Sequence, residues 1–446
     1  MTIPKEYHGK FFYHFTHIDN LDSILRNGLI STNEKIRLGI IHKNIANENI
    51  QERRSQMNVA VDPGGTVHDY VPFYFCSTNP MLLGLTNNKN IDQPYLIFFA
   101  IPFEVILNDN VVFTDASANT VKLPNFYNQI EDLDQLNWDV INSTKWGTAN
   151  EDLKHKKMAE ALIYKSVPLE WIQYIVVWND MFSNMVKEKY AQYGFNLPQL
   201  TFIQLNNRYF YFTKFAMGRA RETLTTGPNY LLRIFENVIE VVSSKRKENG
   251  KVYSYKTIES LLKAIDLDFN ALKEMQGIFE LECENEVHDE TVSDHTLQVV
   301  FNLMNYSYYK EVNKNDQDIL KLSAYLHDVG KGPHEKWPSK KQKVYPDHPV
   351  DSLKMTGRVL IEEIENLSEY EIRMICLLVG YHDLLGEIIG KNRDKQQLFN
   401  VVKDEKEFDM LNCLSYSDVL SFNNYWSINY NSQIRQLKKE FLEQLE

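Results

Sequence analysis

No stretch of this sequence is apolar for long enough to cross a bilayer, so no membrane partner is expected. The opening residues, "MTIPKEYHGKFFYH", lack the apolar core of a secretory leader. Cysteine is scarce. Four residues (Cys76, Cys283, Cys376, Cys413) are scattered through 446, and none forms a C-x-x-C pair. That removes a disulfide framework and leaves a reduced, cytoplasmic protein with its cysteines in cores as the expectation. Positive charge is outnumbered, 48 Lys and Arg against 60 Asp and Glu, for a net charge of −12. No overall basic field therefore draws the chain to nucleic acid or anionic lipid, and only local clusters can do so. There is no internal repeat and no low-complexity tract.

What is present has two textures. Residues 11–110 alternate strand-like runs ("FFYHFTH", "YVPFYFCST", "PYLIFFAIPF") with turn signals such as "DPGG" and "STNP". "IDNLDSILRNGLI" reads as a short helix ended by Gly28, and "WIQYIVVW" reads as a buried strand. From about 256 onward the apolar spacing is helical almost throughout. The expected organisation is an α+β domain over 1–210, a connecting helix and basic linker over 211–254, and an all-α domain over 255–446. The basic tract "KFAMGRARETL" is expected to be a solvated helix or a guide for a nucleic-acid strand.

In the helical half, histidines and aspartates recur on apolar stripes. His295 shares one with Val292, Val299 and Leu303. His327 and Asp328, in "YLHDVGKG", follow Ile319, Leu322 and Leu326. His382 extends Ile372, Ile375 and Val379, and Asp418 extends Leu411 and Leu414. One such histidine is ordinarily a satisfied core residue. Several imidazoles and carboxylates in one apolar interior are costly unless a divalent cation neutralises them, and His plus Asp suits Fe, Mn, Zn, Ni or Co. The ordered series His295, His327-Asp328, His348, His382, Asp418 resembles the HD-domain phosphohydrolases over about residues 255–425. The resemblance implies an all-α HD helical bundle. It implies that His295, His327, Asp328 and Asp418 hold one metal, and that His348 and His382 belong to a second, with His288 a further position. It also implies a nucleotide or phosphate-ester substrate, with Lys331 on the phosphate.

In the first half, "YHFTHIDNLDSIL", "DYVPFYFCSTNPML", "LNWDVI" and "AEALIYKSVP" follow one another in order. If Met158 to Tyr164 is a strand, Glu160 shares a face with Met158, Leu162 and Tyr164. The four blocks resemble DarT, the DNA-base ADP-ribosyltransferases, over roughly residues 8–205. The resemblance implies a split mixed β-sheet with helices outside it, gripping NAD as substrate. It implies Glu160 as the catalytic glutamate and His14 on the NAD ribose, with Thr16 beside it. Tyr74 or Tyr70 would stack on nicotinamide. Arg53 or Arg54 would meet the pyrophosphate or help activate the acceptor, and the spacing favours Arg53. In the loop before Glu160, Trp146 is a base-stacking candidate, and Lys154, Lys156 and Lys157 are phosphate-holding candidates.

Two catalytic modules on one chain suggest a shared task. The leading expectation is transfer of ADP-ribose to a base of single-stranded DNA, thymine or guanine, with RNA still open. Such an enzyme is a toxin or anti-phage effector whose HD domain acts on nucleotides, on the adduct, or as a restraint. The alternative is an NAD glycohydrolase gated by a nucleotide-sensing HD domain.

Overall fold

The computed structural model describes residues 2–445 apart from 46–47, 119–122, 146–149, 249–251, 285–289, 340 and 423. Trp146 and His288 thus lie outside the described residues. The chain forms two compact units, one of Met1–Asn87 with Ile91–Leu224 and one of Asn88–Asn90 with Thr225–Glu446.

The first unit is built on an eight-stranded mixed sheet. Its strands are β1 (Phe11–His17), β2 (Tyr70–Tyr74), β3 (Leu96–Pro102), β4 (Val111–Thr114), β5 (Phe126–Tyr127), β6 (Glu160–Tyr164), β7 (Tyr174–Val177) and β8 (Gln199–Phe202). Their spatial order is β8-β7-β3-β1-β2-β6-β4-β5. Only the pair β7–β8 is parallel. β1 and β3 are buried on both faces, which explains why "FFYHFTH" and "LIFFAIP" read as near-continuous apolar runs rather than alternating ones.

The sheet is nearly split between β1 and β2. β1 pairs with β3 over seven residues, Phe11↔Pro102 to His17↔Leu96, but meets β2 only at Tyr13↔Tyr74. The reason lies in Pro72, which has no N–H to continue the ladder. The ring of His14 instead satisfies the Pro72 carbonyl, donating to it from Nδ1 at 2.8 Å. β2 and β6 remain in full register, Tyr70↔Tyr164 to Tyr74↔Glu160. Tyr13, Tyr74 and Glu160 therefore form one row across three strands. β6 begins at Glu160. Met158 caps the helix Glu151–Lys157 instead of lying in the strand, while Leu162 and Tyr164 do share the face of Glu160.

The second unit is helical. Thr257, Thr291 and Ser368 open their helices with reciprocal capping boxes. The segment 211–254, expected to be a connecting helix and basic linker, divides between the two units. Its first part is a hairpin, Thr213–Lys214 with Arg219–Thr223, within the first unit and not a helix. Its second part is the helix Pro228–Lys245, which starts on proline and buries Leu231, Ile234, Phe235, Val238 and Val242 in the core of the second unit. Arg246 then donates to the carbonyls of Leu360 and Ile364, at 2.5 and 2.7 Å. Burying five such side chains contributes roughly 7–15 kcal/mol, as much as the whole stability of a typical domain, about 5–15 kcal/mol. A chain beginning at Thr225 should melt cooperatively by circular dichroism. One beginning at Tyr255 should lose its transition, and a retained one would show the helix to be dispensable.

Candidate active sites

Glu160 is 0% exposed, and its charge is matched on the spot. Arg54 donates from Nη1 to Oε1 and from Nη2 to Oε2, both at 2.8 Å. The Ala118 amide donates to Oε1 at 3.2 Å, and the Glu160 amide donates to Thr114 Oγ1 at 3.1 Å. Burial alone would lower the basicity of Arg54, but the Glu160 carboxylate outweighs it and holds the guanidinium more firmly protonated than usual. Arg53, the residue favoured by spacing, is exposed. Both arginines sit in the helix Glu48–Ser55, where successive side chains diverge by about 100°, so only one can face the carboxylate. That helix, "ENIQERRS", is polar nearly all round, so no apolar stripe marked its inner face.

Tyr74 adjoins Glu160 in the row. Its ring stacks on Phe15 at 6.0 Å and its hydroxyl donates to Met81 Sδ at 3.2 Å. Burial and then the Glu160 charge push its ionisation well up. Tyr70 serves a local purpose. Its hydroxyl donates to the Gly64 carbonyl at 2.6 Å, and its ring packs on Tyr164 in a small core with Met57, Val59 and Leu162.

Where β1 and β2 part, a cleft opens, lined by His14 and Thr16 on one side and Tyr70–Pro72 on the other. Burial pulls the His14 imidazole down to about 4, so it is neutral at pH 7 with Nε2 free to accept. Thr16 Oγ1 accepts from Asn20 Nδ2 at 3.0 Å, which also ties Lys43 to the cleft wall through its carbonyl. Glu160, Arg54 and Tyr74 do not line this cleft. They stand at the closed end of the splay, with Glu160 two strand spacings, about 10 Å, from Tyr13. The expected lysine cluster is locally occupied. Lys154 pairs with Glu151 at 2.5 Å, Lys156 with Asp152 at 2.7 Å, and buried Lys157 donates to the Ser143 carbonyl at 2.6 Å.

In the second unit, five helices and one turn bring the predicted series together around Asp328. On its Oδ2 side, His295 Nε2 lies at 3.3 Å and His327 Nε2 at 3.4 Å, with Asp418 Oδ1 3.1 Å from His295. On its Oδ1 side, His348 Nε2 lies at 3.2 Å, and His382 Nε2 is 3.1 Å from His348. Helix ends deliver these groups. His327 and His382 are the C-caps of Lys314–Leu326 and Glu369–Tyr381, and His348 begins His348–Glu362. Gly330 lets the turn after Asp328 press against that last helix, since a Cβ there would collide with the His348 carbonyl and the Ser352 amide. Lys331 is mostly buried, with Nζ 2.5 Å from Asp328 Oδ2.

The donors fit a divalent cation on each side of Asp328. His327, His348 and His382 direct Nδ1 at the carbonyls of Ala324, Tyr345 and Val379, at 2.7, 2.7 and 2.9 Å. His295 directs Nδ1 at Ser421 Oγ at 3.1 Å. Each ring thereby turns the lone pair of Nε2 inward, as metal-bound histidines do. Facing Nε2 atoms lie 3.4 Å (His295, His327) and 3.1 Å (His348, His382) apart. A tetrahedron of bonds about 2.0–2.1 Å long has edges of about 3.3 Å. The Asp328 Oδ1 and Asp418 Oδ1 atoms are buried and accept no hydrogen bond. Burial pulls His348 down to about 3. It pulls on His295 too, but Asp328 and Asp418 outweigh it and lift that ring to about 9.

An opened mixed sheet with a buried glutamate beside the opening is the architecture of an ADP-ribosyltransferase, and the imidazole–carboxylate centre is that of a metal-dependent HD protein. A family model described as "ssDNA thymidine ADP-ribosyltransferase, DarT" matches residues 13–211, and one described as "HD domain" matches residues 292–412. The DNA ADP-ribosyl transferase of Thermus sp. (strain 2.9) is 38% identical over 181 residues, covering 37% of this chain and 80% of that protein. That of Thermus aquaticus (strain ATCC BAA-2747 / Y51MC23) is 33% identical over 187 residues, covering 41% and 81%. The solved structure of Thermus sp. 2.9 DarT in complex with ADP-ribosylated ssDNA is 32% identical, covers 45% of this chain and 96% of that one, and superposes with a TM-score of 0.41. The chain belongs to the DarT family of ADP-ribosyltransferases and carries an HD domain in its second half.

Removing one partner of a buried ion pair costs about 3–5 kcal/mol. Arg54→Ala should therefore lower the melting temperature by several degrees and abolish transfer, whereas Arg53→Ala should change neither, as differential scanning fluorimetry and an ADP-ribosylation assay will show. The metal count gives a separate check. By plasma emission the intact chain should hold two transition-metal equivalents, His348→Ala one and Asp328→Ala none, and an unchanged count in Asp328→Ala would remove the shared-carboxylate arrangement.

Proposed function

We propose that the first unit transfers ADP-ribose from NAD to a nucleobase of single-stranded DNA. The observation that carries this reading is the buried Glu160 clamped by Arg54 on β6, the strand that pairs with β2 beside the β1–β2 splay. Glu160 accepts from a ribose hydroxyl and faces the positive charge that develops as the C1′–N bond to nicotinamide breaks, nicotinamide leaving with the electron pair. Arg54 keeps the carboxylate ionised and oriented, so the site need not reorganise at the moment of reaction. Neutral His14 offers Nε2 to the ribose while Nδ1 stays on Pro72. A ring nitrogen of the base then supplies the electron pair that closes on C1′ and gives up its proton to solvent water. The description of the matching family names thymidine, which makes thymine the first acceptor to test and guanine the second.

The second unit acts as a metal-dependent phosphohydrolase on a phosphate ester, either a nucleotide or the adduct. His295, His327, Asp328 and Asp418 would hold one cation, and Asp328, His348 and His382 the other. Such an ion lowers the pKa of a bound water and polarises a phosphoryl oxygen. Lys331, fixed beside Asp328, adds a positive charge where a phosphate docks. A bulky group on template bases stalls copying. The pairing of the two units therefore suits a toxin or anti-phage effector whose second unit restrains the first.

Labelled NAD with thymine-only, guanine-only and mixed single-stranded oligonucleotides, and an RNA control, tests the first reading. Label should pass to DNA with the intact chain and fall about 100- to 1,000-fold in Glu160→Gln. The His327→Ala/Asp328→Ala double variant should transfer at least as fast as the intact chain. NAD consumption without labelled DNA would make the enzyme a glycohydrolase instead.

A further inference from the structure

The cleft beside His14 contains a cation that the reaction above does not use. Lys35 lies on the short helix Thr32–Arg37, whose start is fixed by Ser31 Oγ accepting from the Glu34 amide at 3.3 Å. Its side chain lines the cleft together with His14, Thr16 and Asn20. Among the described residues lining that cleft, Lys35 is the only lysine or arginine, and none is aspartate or glutamate. No carboxylate pairs with it among the described residues. The nearest acid on its own helix, Glu34, is bound to Arg37 at 2.6 Å. Burial without a compensating carboxylate pulls the Lys35 ammonium below its ordinary value.

The arginines expected at the pyrophosphate are elsewhere. Both terminal nitrogens of Arg54 are held by Glu160, and Arg53 faces solvent. A half-buried ammonium turned into a cavity with no counter-charge is unfavourable until an anion arrives, and a charge-assisted bond to phosphate then offsets the desolvation. The rest of the lining is neutral, with the hydroxyls of Thr16, Ser31 and Thr32 and the amides of Asn20 and Asn27 suited to ribose and phosphate oxygens. The donor dinucleotide brings two negative charges, and this wall of the cleft offers one positive charge for them.

We propose that Lys35 anchors the pyrophosphate of the dinucleotide donor. This rests on the reading of the cleft as the NAD site. It makes Lys35 a positioning residue, which sets how the nicotinamide ribose reaches His14 without touching the bond that breaks.

The test uses the full chain and isothermal titration with two probes. ADP-ribose carries the pyrophosphate, and nicotinamide riboside carries the reacting end without it. Lys35→Met should weaken ADP-ribose about tenfold to a hundredfold, the usual effect of losing a hydrogen bond to a charged group. It should leave nicotinamide riboside unchanged and raise KM for NAD far more than it lowers kcat. Lys35→Arg should restore most of the affinity. Salt should weaken ADP-ribose binding to the unmodified chain, and not that of the riboside, so the proposal stays testable even if Lys35→Met folds poorly. ADP-ribose binding that survives Lys35→Met but is lost in His14→Ala would overturn the role of Lys35 and leave the cleft reading standing. Equal weakening of both probes by Lys35→Met would reduce Lys35 to a structural residue. Binding unaffected by either substitution would end the cleft reading itself.

Discussion

A carboxylate can be taken out of water only where something cancels its charge, and each unit of this chain is arranged around one such carboxylate. In the first unit it is Glu160, fully buried and matched by a guanidinium that approaches edge-on with two parallel hydrogen bonds. In the second it is Asp328, whose two oxygens face different pairs of imidazoles. The two solutions differ in kind. Arg54 completes the first within the protein. In the second, Lys331 meets one oxygen of Asp328, while facing lone pairs and two carboxylate oxygens without hydrogen bonds leave a donor set that fits a divalent cation.

Backbone geometry makes both arrangements possible. A proline in β2 interrupts the ladder, His14 bonds to its carbonyl, and the strands part to open the cleft. A glycine in the turn after Asp328 lets that turn lie against the start of the next helix, which brings His348 within reach of Asp328. In each case the residue matters for what it lacks, an N–H in Pro72 and a Cβ in Gly330. Substitutions there would act on the site through the backbone rather than through any lost side-chain contact.

Much of this was legible in the residues alone. The apolar runs of β1 and β3 and the helical spacing after 256 are local signals, read over a few positions of chain. So were the stripes carrying His295, His327, His382 and Asp418, because a helix repeats every 3.6 residues and places such groups on its inner face. The failures have the same physical origin. Arg53 and Arg54 are neighbours on a polar helix, so no periodicity told them apart. The helix Pro228–Lys245 was expected only as a connection between domains, although Leu231, Ile234, Phe235, Val238 and Val242 carry a helical stripe into a core. What a stripe of this kind cannot say is which of two cores will receive it. Lys35 gave no signal at all, since a lysine two turns from a glycine is an ordinary surface residue until a cleft forms over it.

The sequence by itself carried the helical stripes and the ordered blocks whose resemblance to two families implied the two chemistries, because such signals lie within single elements or in their order. The tertiary structure alone decided which arginine faces Glu160, that Glu160 lies beside Tyr74 while His14 lines the opening between β1 and β2, and that Asp328 lies between two sets of histidines. Each of these is a relation between elements far apart in the chain. It is set by strand register and close packing, which no short window of residues contains.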